Sequence, residues 1–121
     1  MAFRVEIGPQ ALADIAAIYR QIEPDAPLNA ARWMISVAEA IYSLENMPAR
    51  CPVASESEDL EQGVRFLLHG RKNRAYKIYF AIRHETPVSG TIRVLHVRHW
   101  AREAVSAFEL QKIMDESAGE P

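Results

Sequence analysis

The sequence predicts an α+β domain in which a helical hairpin covers one face of a single curved sheet. Three observations support this class. Apolar residues alternate at the start of the chain, recur at helical spacing from Gln10 to Leu44, and alternate again in three runs between Val64 and Val97. A short helix follows, so the predicted order is strand, helix, helix, strand, strand, strand, helix, in one domain over residues 1–121.

The first strand and the helical hairpin are predicted from the spacing of apolar residues, which changes from every second residue to every third or fourth. Phe3, Val5 and Ile7 alternate with charged residues, which is typical of a short half-buried strand that ends at Gly8 and Pro9. Pro24 is expected to end the first helix, and Asp25 and Pro27 to begin the second, so these residues separate two apolar stripes. The stripes are Leu12, Ile15, Ile18, Tyr19 and Ile22, and Trp33, Met34, Val37, Ala40, Ile41 and Leu44.

Three later strands are predicted to form an antiparallel meander. Alternating runs cover Val64–His69 and Tyr76–Arg83, and Ile92–Val97 is rich in β-branched residues. The connecting segments, Gly70–Asn73 and Glu85–Gly90, have the composition of hairpin loops. Together with the first strand, these three strands would make one curved sheet.

One side of this sheet is expected to carry positive charge. Successive side chains of a strand point to opposite sides, so a polar set should project away from Phe66, Ile78 and Phe80. Since the hairpin covers only one side, this set would line a partly open, basic, concave face, while Tyr76 packs inside. The set consists of Arg65, Lys77, Tyr79 and Arg83.

The C-terminal segment returns to helical spacing between Arg102 and Met114. Residues 115–121 are acidic and are expected to form a frayed tail. The acidic run from Glu56 to Glu61 is interpreted as a solvated surface loop, and His96 as a structural residue.

Composition excludes several classes of protein. The first twenty residues contain charges and no long apolar block, so we expect neither a secretory signal nor a membrane span, and a cytoplasmic location. The single cysteine, Cys51, cannot form an internal disulfide. The four histidines lack the spacing of a zinc site, so no metal and no cofactor are predicted.

Charge is divided unevenly along the chain. The net charge is −6 over residues 1–62, +8 over residues 63–102 and −4 over residues 103–121. Such segregation suits an anionic partner, either nucleic acid or an acidic protein surface. The alternative is that the acidic segments neutralise the basic block within the fold.

Further candidate binding residues lie in the first hairpin turn and after the last strand. Arg71, Lys72 and Arg74 in the turn either contact a phosphate or an acidic surface, or form a solvated loop. His99, beside Arg98, could act as a general acid or base, or could cap the end of a strand.

Three stretches of the sequence resemble a known family. VEIGPQALADIAAIY near the start, RFLLHGRKNRAYKIYFAI in the centre and RVLHVRHWARE near the end are similar, in order and spacing, to RelE/ParE superfamily toxins of type II toxin–antitoxin systems. The resemblance covers about Phe3 to Glu103. It implies growth arrest, a role such as plasmid stabilization, and silencing by a cognate antitoxin in a hetero-oligomer.

RelE-like members of the superfamily are ribosome-dependent mRNA endonucleases that need no metal. Arg65 and Lys77 fit strand positions where these enzymes carry basic residues, and Arg98 and His99 complete the set that such an activity would use. However, Leu67 stands where these ribonucleases carry a strand lysine that acts as base, and the arginine that assists the leaving group is replaced near Trp100. A leucine can neither accept a proton nor stabilise a leaving oxygen.

ParE-like members inhibit DNA gyrase by binding it, and this chain resembles them in its R-H-x-x-R ending, formed by Arg98, His99 and Arg102. The resemblance therefore favours a gyrase-binding toxin with no firm catalytic residue. A ribosome-dependent mRNA endonuclease and a non-toxic relative of the family remain the alternatives. Target contact is assigned to the basic and aromatic residues named above: Arg65, Arg71, Lys72, Arg74, Lys77, Tyr79, Arg83, Arg98, His99 and Arg102.

Overall fold

A four-stranded sheet lies at the centre of the computed structural model, which describes residues 3–57, 60, 63–71, 74–101 and 105–118. The strands run in the spatial order β1-β4-β3-β2. β2, β3 and β4 form the predicted antiparallel meander, and β1 pairs in parallel with β4. The strands are β1 (Arg4–Ile7), β2 (Arg65–His69), β3 (Tyr76–Thr86) and β4 (Ser89–His99).

The predicted helical hairpin consists of α1 (Pro9–Ile22) and α2 (Pro27–Tyr42), each with a proline in its first turn. A C-terminal helix, α3 (Ala107–Ala118), extends through residues 115–118, which we expected in a frayed acidic tail. That expectation is wrong for these four residues, and residues 119–121 lie outside the described part of the chain. None of the helices among the described residues has the length and apolar content required to cross a bilayer.

The first core lies between the hairpin and the sheet, as predicted. Ile15 of α1 and Val37 and Ile41 of α2 are buried in one cluster with side chains of β3 and β4, and partly buried residues of β1 and β2 pack against it. The periodic apolar stripes of both helices therefore explain this half of the fold. The main buried strand residues of the first core are Ile78, Phe80, Ile92, Val94 and Val97.

The opposite face of the sheet is also covered, which the sequence did not lead us to expect. A second core forms there from Tyr79 and Leu95 of the sheet, Leu110 and Ile113 of α3, and other residues near them. α3 is amphipathic, so it supplies the apolar face that this side of the sheet needs. The prediction of a partly open basic face is therefore wrong.

The pairing of the long β3–β4 hairpin shifts at two places, one of them between His84 and Thr86, near the turn. The pairing also shifts between Tyr79, opposite His96, and Phe80, opposite Val94, so Leu95 is an extra residue in β4. As a result, Leu95 and His96 lie on the same side of the sheet. Leu95 is buried in the second core, and the His96 ring stacks on Tyr79 of that core.

β4 requires a glycine at its second residue, beside the turn of this hairpin. Gly90 has a φ of +151°, and a Cβ there would lie 2.0 Å from the carbonyl oxygen of Arg83. Any side chain at this position would displace the β3 backbone.

The edge of β4 is closed by a side chain where β1 ends. β1 pairs with β4 only as far as Val94, and the Gly8 N–H then donates to the Val94 carbonyl at 2.8 Å. Beyond this point, Asp14 of α1 accepts hydrogen bonds on Oδ2 from the Val97 N–H at 2.9 Å and from the His96 ring Nδ1 at 2.6 Å. One carboxylate thus satisfies the exposed strand edge and fixes α1 across the sheet.

Replacing this carboxylate should destabilise the whole fold. We expect Asp14→Ala to lower the free energy of unfolding by about 2–3 kcal/mol, because the backbone N–H of Val97 and the imidazole of His96, both buried, lose their acceptor. Urea denaturation followed by circular dichroism measures the change. The matched control is Asp25→Ala, at an exposed aspartate between α1 and α2, where the change should stay within about 0.5 kcal/mol. Equal losses in the two variants would contradict the role of Asp14.

Candidate functional site

The pairing register separates Arg65 from the other residues predicted to share its face. Arg65 lies opposite Phe80, so its side chain belongs to the hairpin side of the sheet. Its guanidinium donates to the carbonyl oxygens of Cys51 at 2.6 Å and Ala49 at 3.4 Å. Arg65 therefore ties the segment before β2 to the sheet, and its predicted place beside Lys77 and Tyr79 is wrong.

Tyr79 is fully buried and not on an open surface as predicted. Its hydroxyl donates to Glu56 Oε2 at 2.7 Å, and its ring stacks on His96 with centroids 5.8 Å apart. Burial, followed by the Glu56 contact, raises the pKa of Tyr79 far above its ordinary value. Burial alone would raise the pKa of Glu56, but the Tyr79 hydrogen bond, with smaller contributions that include the Lys77 charge, lowers it overall.

Arg98 takes part in a polar chain that crosses the sheet. His96, which Asp14 holds through Nδ1, has its Nε2 3.5 Å from Arg98 Nη1, an arrangement that fits a proton on Nδ1 and a lone pair on Nε2. Arg98 also forms an ion pair at 3.6 Å with Glu109 of α3, and only 11% of its side chain is exposed. These contacts are consistent with the interpretation of His96 as structural. The Arg98 side chain is largely buried and bonded within the fold.

The four residues of the endonuclease alternative do not share one surface. Lys77 and Arg98 are cross-strand neighbours on the α3 side, where the Lys77 ammonium lies 5.0 Å from the centre of the Phe66 ring. Arg65 and His99 lie on the hairpin side, at different ends of the sheet. No acid and base pair converges from these residues on one point in space.

Three of the predicted cations are exposed in the described structure. Arg71 and Arg74 lie in the turn between β2 and β3, where the Arg74 N–H donates to the Arg71 carbonyl at 3.0 Å. Arg83 is exposed at the far end of β3, near the ion pair between Arg93 and Glu6 at 2.9 Å. Lys72 and Arg102 lie outside the described residues.

A cleft opens between the helical hairpin and the paired ends of β3 and β4. Tyr76 and His99 face each other across these strands with ring centroids 5.3 Å apart, and Trp33 of α2 contacts Tyr76 at 5.5 Å. Two adjoining pockets, of about 450 and 480 Å³, share Tyr76 and His99. We call this feature the Tyr76–His99 cleft; its other lining residues are Asp14, Ala17, Ile18, Gln21, Ile22, Asn29, Arg32, Trp33, Arg74 and Val97.

Aromatic rings and positive charge are combined in the cleft. Arg32 and Arg74 are among its lining residues, and the buried Nε1 of the Trp33 indole has no hydrogen-bond partner among the described residues. Burial raises the pKa of Tyr76, so its hydroxyl stays protonated and can donate. His99 Nδ1 accepts a hydrogen bond from the Ala101 N–H at 3.1 Å. Such a cleft suits a planar or carboxylate side chain of a partner protein.

Metal binding finds no support in the described part of the chain. No group of three or more histidine, cysteine, aspartate or glutamate side chains gathers there. Cys51 is buried, and this burial raises the pKa of its thiol, with Arg50 and Arg65 partly offsetting the effect. A protonated, buried thiol is a poor nucleophile and a poor ligand.

Sequence reasoning missed several residues that organise these sites. Glu56 belongs to a run that we interpreted as a solvated loop, yet it accepts the Tyr79 hydrogen bond. Arg32 was not singled out, and Trp33 and Tyr76 were assigned to the core although both also line the cleft. Helical and strand periodicity shows which face a residue occupies but not whether a cleft opens beside it.

Removing the Tyr79 hydroxyl should destabilise the protein and reduce its sensitivity to acid. We expect Tyr79→Phe to lower the free energy of unfolding by about 1 kcal/mol near neutral pH, because Glu56 loses a donor. Since the pKa of Glu56 is lowered in the folded state, its stabilising effect is present above its ordinary value of 4.5 and is lost as pH falls through the lower folded value. Urea denaturation from neutral to acidic pH measures both effects.

The matched control for this prediction is Tyr42→Phe, because the Tyr42 ring is 53% exposed on α2. Its free energy of unfolding should stay within about 0.5 kcal/mol of the unmodified protein. An unchanged dependence on acid in Tyr79→Phe would show that the Tyr79–Glu56 contact does not lower the pKa of Glu56.

Comparison with known proteins agrees with the resemblance seen in the sequence. A family profile described as "ParE toxin of type II toxin-antitoxin system, parDE" matches residues 5–103. The fold is similar to a solved chain described as "Chromosomal ParDE TA system from P. aeruginosa", with a TM-score of 0.61 at 17% identity over 80% of this chain and 95% of that chain. No curated protein sequence matches significantly. Because the profile spans most of its length, the chain belongs to the ParE toxin family of type II toxin–antitoxin systems.

Proposed function

We propose that this protein arrests growth by binding DNA gyrase in the cytoplasm, and that a cognate antitoxin neutralises it. The observation that carries the proposal is that the basic residues fall into two groups, one bonded within the fold and one exposed at or near a cleft. Arg65 and Arg98 are held by internal contacts, whereas Arg32 and Arg74 line the aromatic Tyr76–His99 cleft and Arg71 is exposed in the same turn as Arg74. This arrangement offers a binding surface without an assembled catalytic set.

The cleft and the β2–β3 turn would form the contact with the target. Arg74 is exposed at the mouth of the cleft, and Arg71 lies one turn away on the same loop. Cations around an aromatic centre are a common composition for the energetically dominant part of a protein interface. Their partner would be an acidic patch of the gyrase surface, and the attraction would depend on ionic strength.

The proposal of an antitoxin partner rests on family membership. The solved neighbour is described as part of a ParDE system, and by analogy this chain would bind an antitoxin encoded with it. An acidic antitoxin segment would suit the exposed arginines for the same electrostatic reason as the target. Antitoxin and gyrase would then compete for the cations around the cleft.

A supercoiling assay tests the proposal directly. Purified protein should block ATP-dependent supercoiling of relaxed plasmid by gyrase and leave ribosome-bound messenger RNA intact. Arg74→Glu should raise the concentration needed for half inhibition by about tenfold, because one attraction becomes a repulsion. The matched control is Arg20→Glu, at an exposed arginine of α1 that does not line the cleft.

Each other outcome of the assay identifies a different function. Normal supercoiling at saturating protein would remove gyrase as the target. Cleavage of ribosome-bound message that disappears in His99→Ala would support the endonuclease alternative. Failure of the expressed protein to arrest growth would favour a non-toxic relative of the family.

A further inference from the structure

The outward face of α2 carries an apolar stripe. Leu28, Ile35 and Tyr42 lie seven residues apart and are 62%, 61% and 53% exposed. Ala31 and Ala38 lie between them on the same side of the helix. We call these five residues the α2 stripe. Exposed apolar residues are ordinary when scattered, but a continuous row of them marks a contact surface.

The spacing of the stripe is that of a helix–helix seam. Its members follow one another at intervals of three, four, three and four residues, which is the a and d pattern of a heptad. The core of this protein does not need them, because α2 already buries Ala30, Val37 and Ile41 on its opposite face. α2 is therefore apolar on two sides, and only one side is used by the fold described above.

We propose that the α2 stripe binds the α2 stripe of a second copy of this chain in an antiparallel arrangement. Antiparallel pairing about a two-fold axis near the middle of the helix places large residues opposite small ones. Tyr42 of each copy would face Ala31 of the other, and Ile35 would face Ala38. Alternation of large and small side chains across the axis lets the helices approach closely without leaving voids.

Charges beside the stripe favour the same arrangement. Arg32 and Glu39 lie seven residues apart on one flank, and both are exposed. Neither forms an ion pair within the described part of the chain. In an antiparallel pair each Arg32 approaches Glu39 of the other copy, which gives two symmetric ion pairs. In a parallel pair this flank would face Met34 and Ile41 of the other copy, and neither charge would gain a partner.

The expected dimer is weak. α2 has 16 residues, and a helix of this length extends for about 24 Å. One such helix pair buries less surface than the roughly 1,200 Å² at the lower limit of standard interfaces. The dimer should therefore form only at high protein concentration, with a micromolar dissociation constant.

This inference does not depend on the cellular target. Arg32 also lines the Tyr76–His99 cleft, so gyrase inhibition is not a suitable readout for it. Sedimentation velocity and small-angle scattering, which report oligomeric state alone, keep the two proposals separate.

The first experiment measures the mass of the purified protein over about a hundredfold range of concentration. The unmodified protein should shift from monomer to dimer, and Ile35→Glu should remain a monomer with an unchanged circular dichroism spectrum. The matched control is Val88→Glu, at an apolar residue 69% exposed in the β3–β4 turn, which should dimerise normally. A monomeric unmodified protein throughout this range would overturn the proposal.

The second experiment tests the charge pairs. Arg32→Glu and Glu39→Arg should each weaken the dimer by about tenfold, because each places like charges together across the axis. The protein with both substitutions should regain the original dissociation constant. Failure of the double variant to recover would overturn the antiparallel arrangement.

The third experiment tests direction by cross-linking. An equal mixture of Ala31→Cys and Tyr42→Cys proteins should form a disulfide-linked dimer on mild oxidation, while either protein alone should cross-link poorly. Efficient cross-linking of each variant with itself would instead indicate parallel pairing. If Ile35→Glu only weakens antitoxin binding and leaves the oligomeric state unchanged, the stripe belongs to the antitoxin and the proposal is wrong.

Discussion

The arrangement of the helices on the sheet depends on the carboxylate of Asp14. β4 continues beyond the end of β1, so its backbone donors on that edge would lack partners if no other group reached them. Asp14 accepts from the Val97 N–H and at the same time holds His96. α1 is thereby held along β4, and Asp14 itself lines the Tyr76–His99 cleft between the hairpin and the strand ends.

Neutralisation within the fold, one of the two explanations considered for the basic block, accounts for part of it. Some of its cations are neutralised within the fold, as in the ion pair of Arg98 with Glu109 and that of Arg93 with Glu6. α3 and the segment containing Glu56 bring acidic groups onto the sheet face that we expected to be open. Of the exposed cations in the described part of this block, Arg71 and Arg74 lie in the β2–β3 turn, where Arg74 lines the aromatic cleft, and Arg83 lies at the far end of β3.

Periodicity predicted the elements well, because apolar spacing is what a strand or helix needs to bury one side. It could not fix the phase of one strand relative to the next, and Arg65 was assigned to the wrong side for that reason. Tyr79 looked like a surface residue because a buried hydroxyl with a carboxylate partner leaves no local signal in sequence. The same limit applies to the bulge at Leu95, which depends on pairing between strands.

The parallel contact between β1 and β4 has a consequence for how the chain reaches this structure. Partners such as Arg4 and Thr91 are 87 positions apart, so this pairing closes a very large loop. Contacts of such long range slow folding, since chain entropy is lost before they form. During synthesis the amphipathic hairpin would emerge long before the strands that bury it. The apolar faces of α1 and α2 would therefore remain exposed to solvent until β4 has left the ribosome.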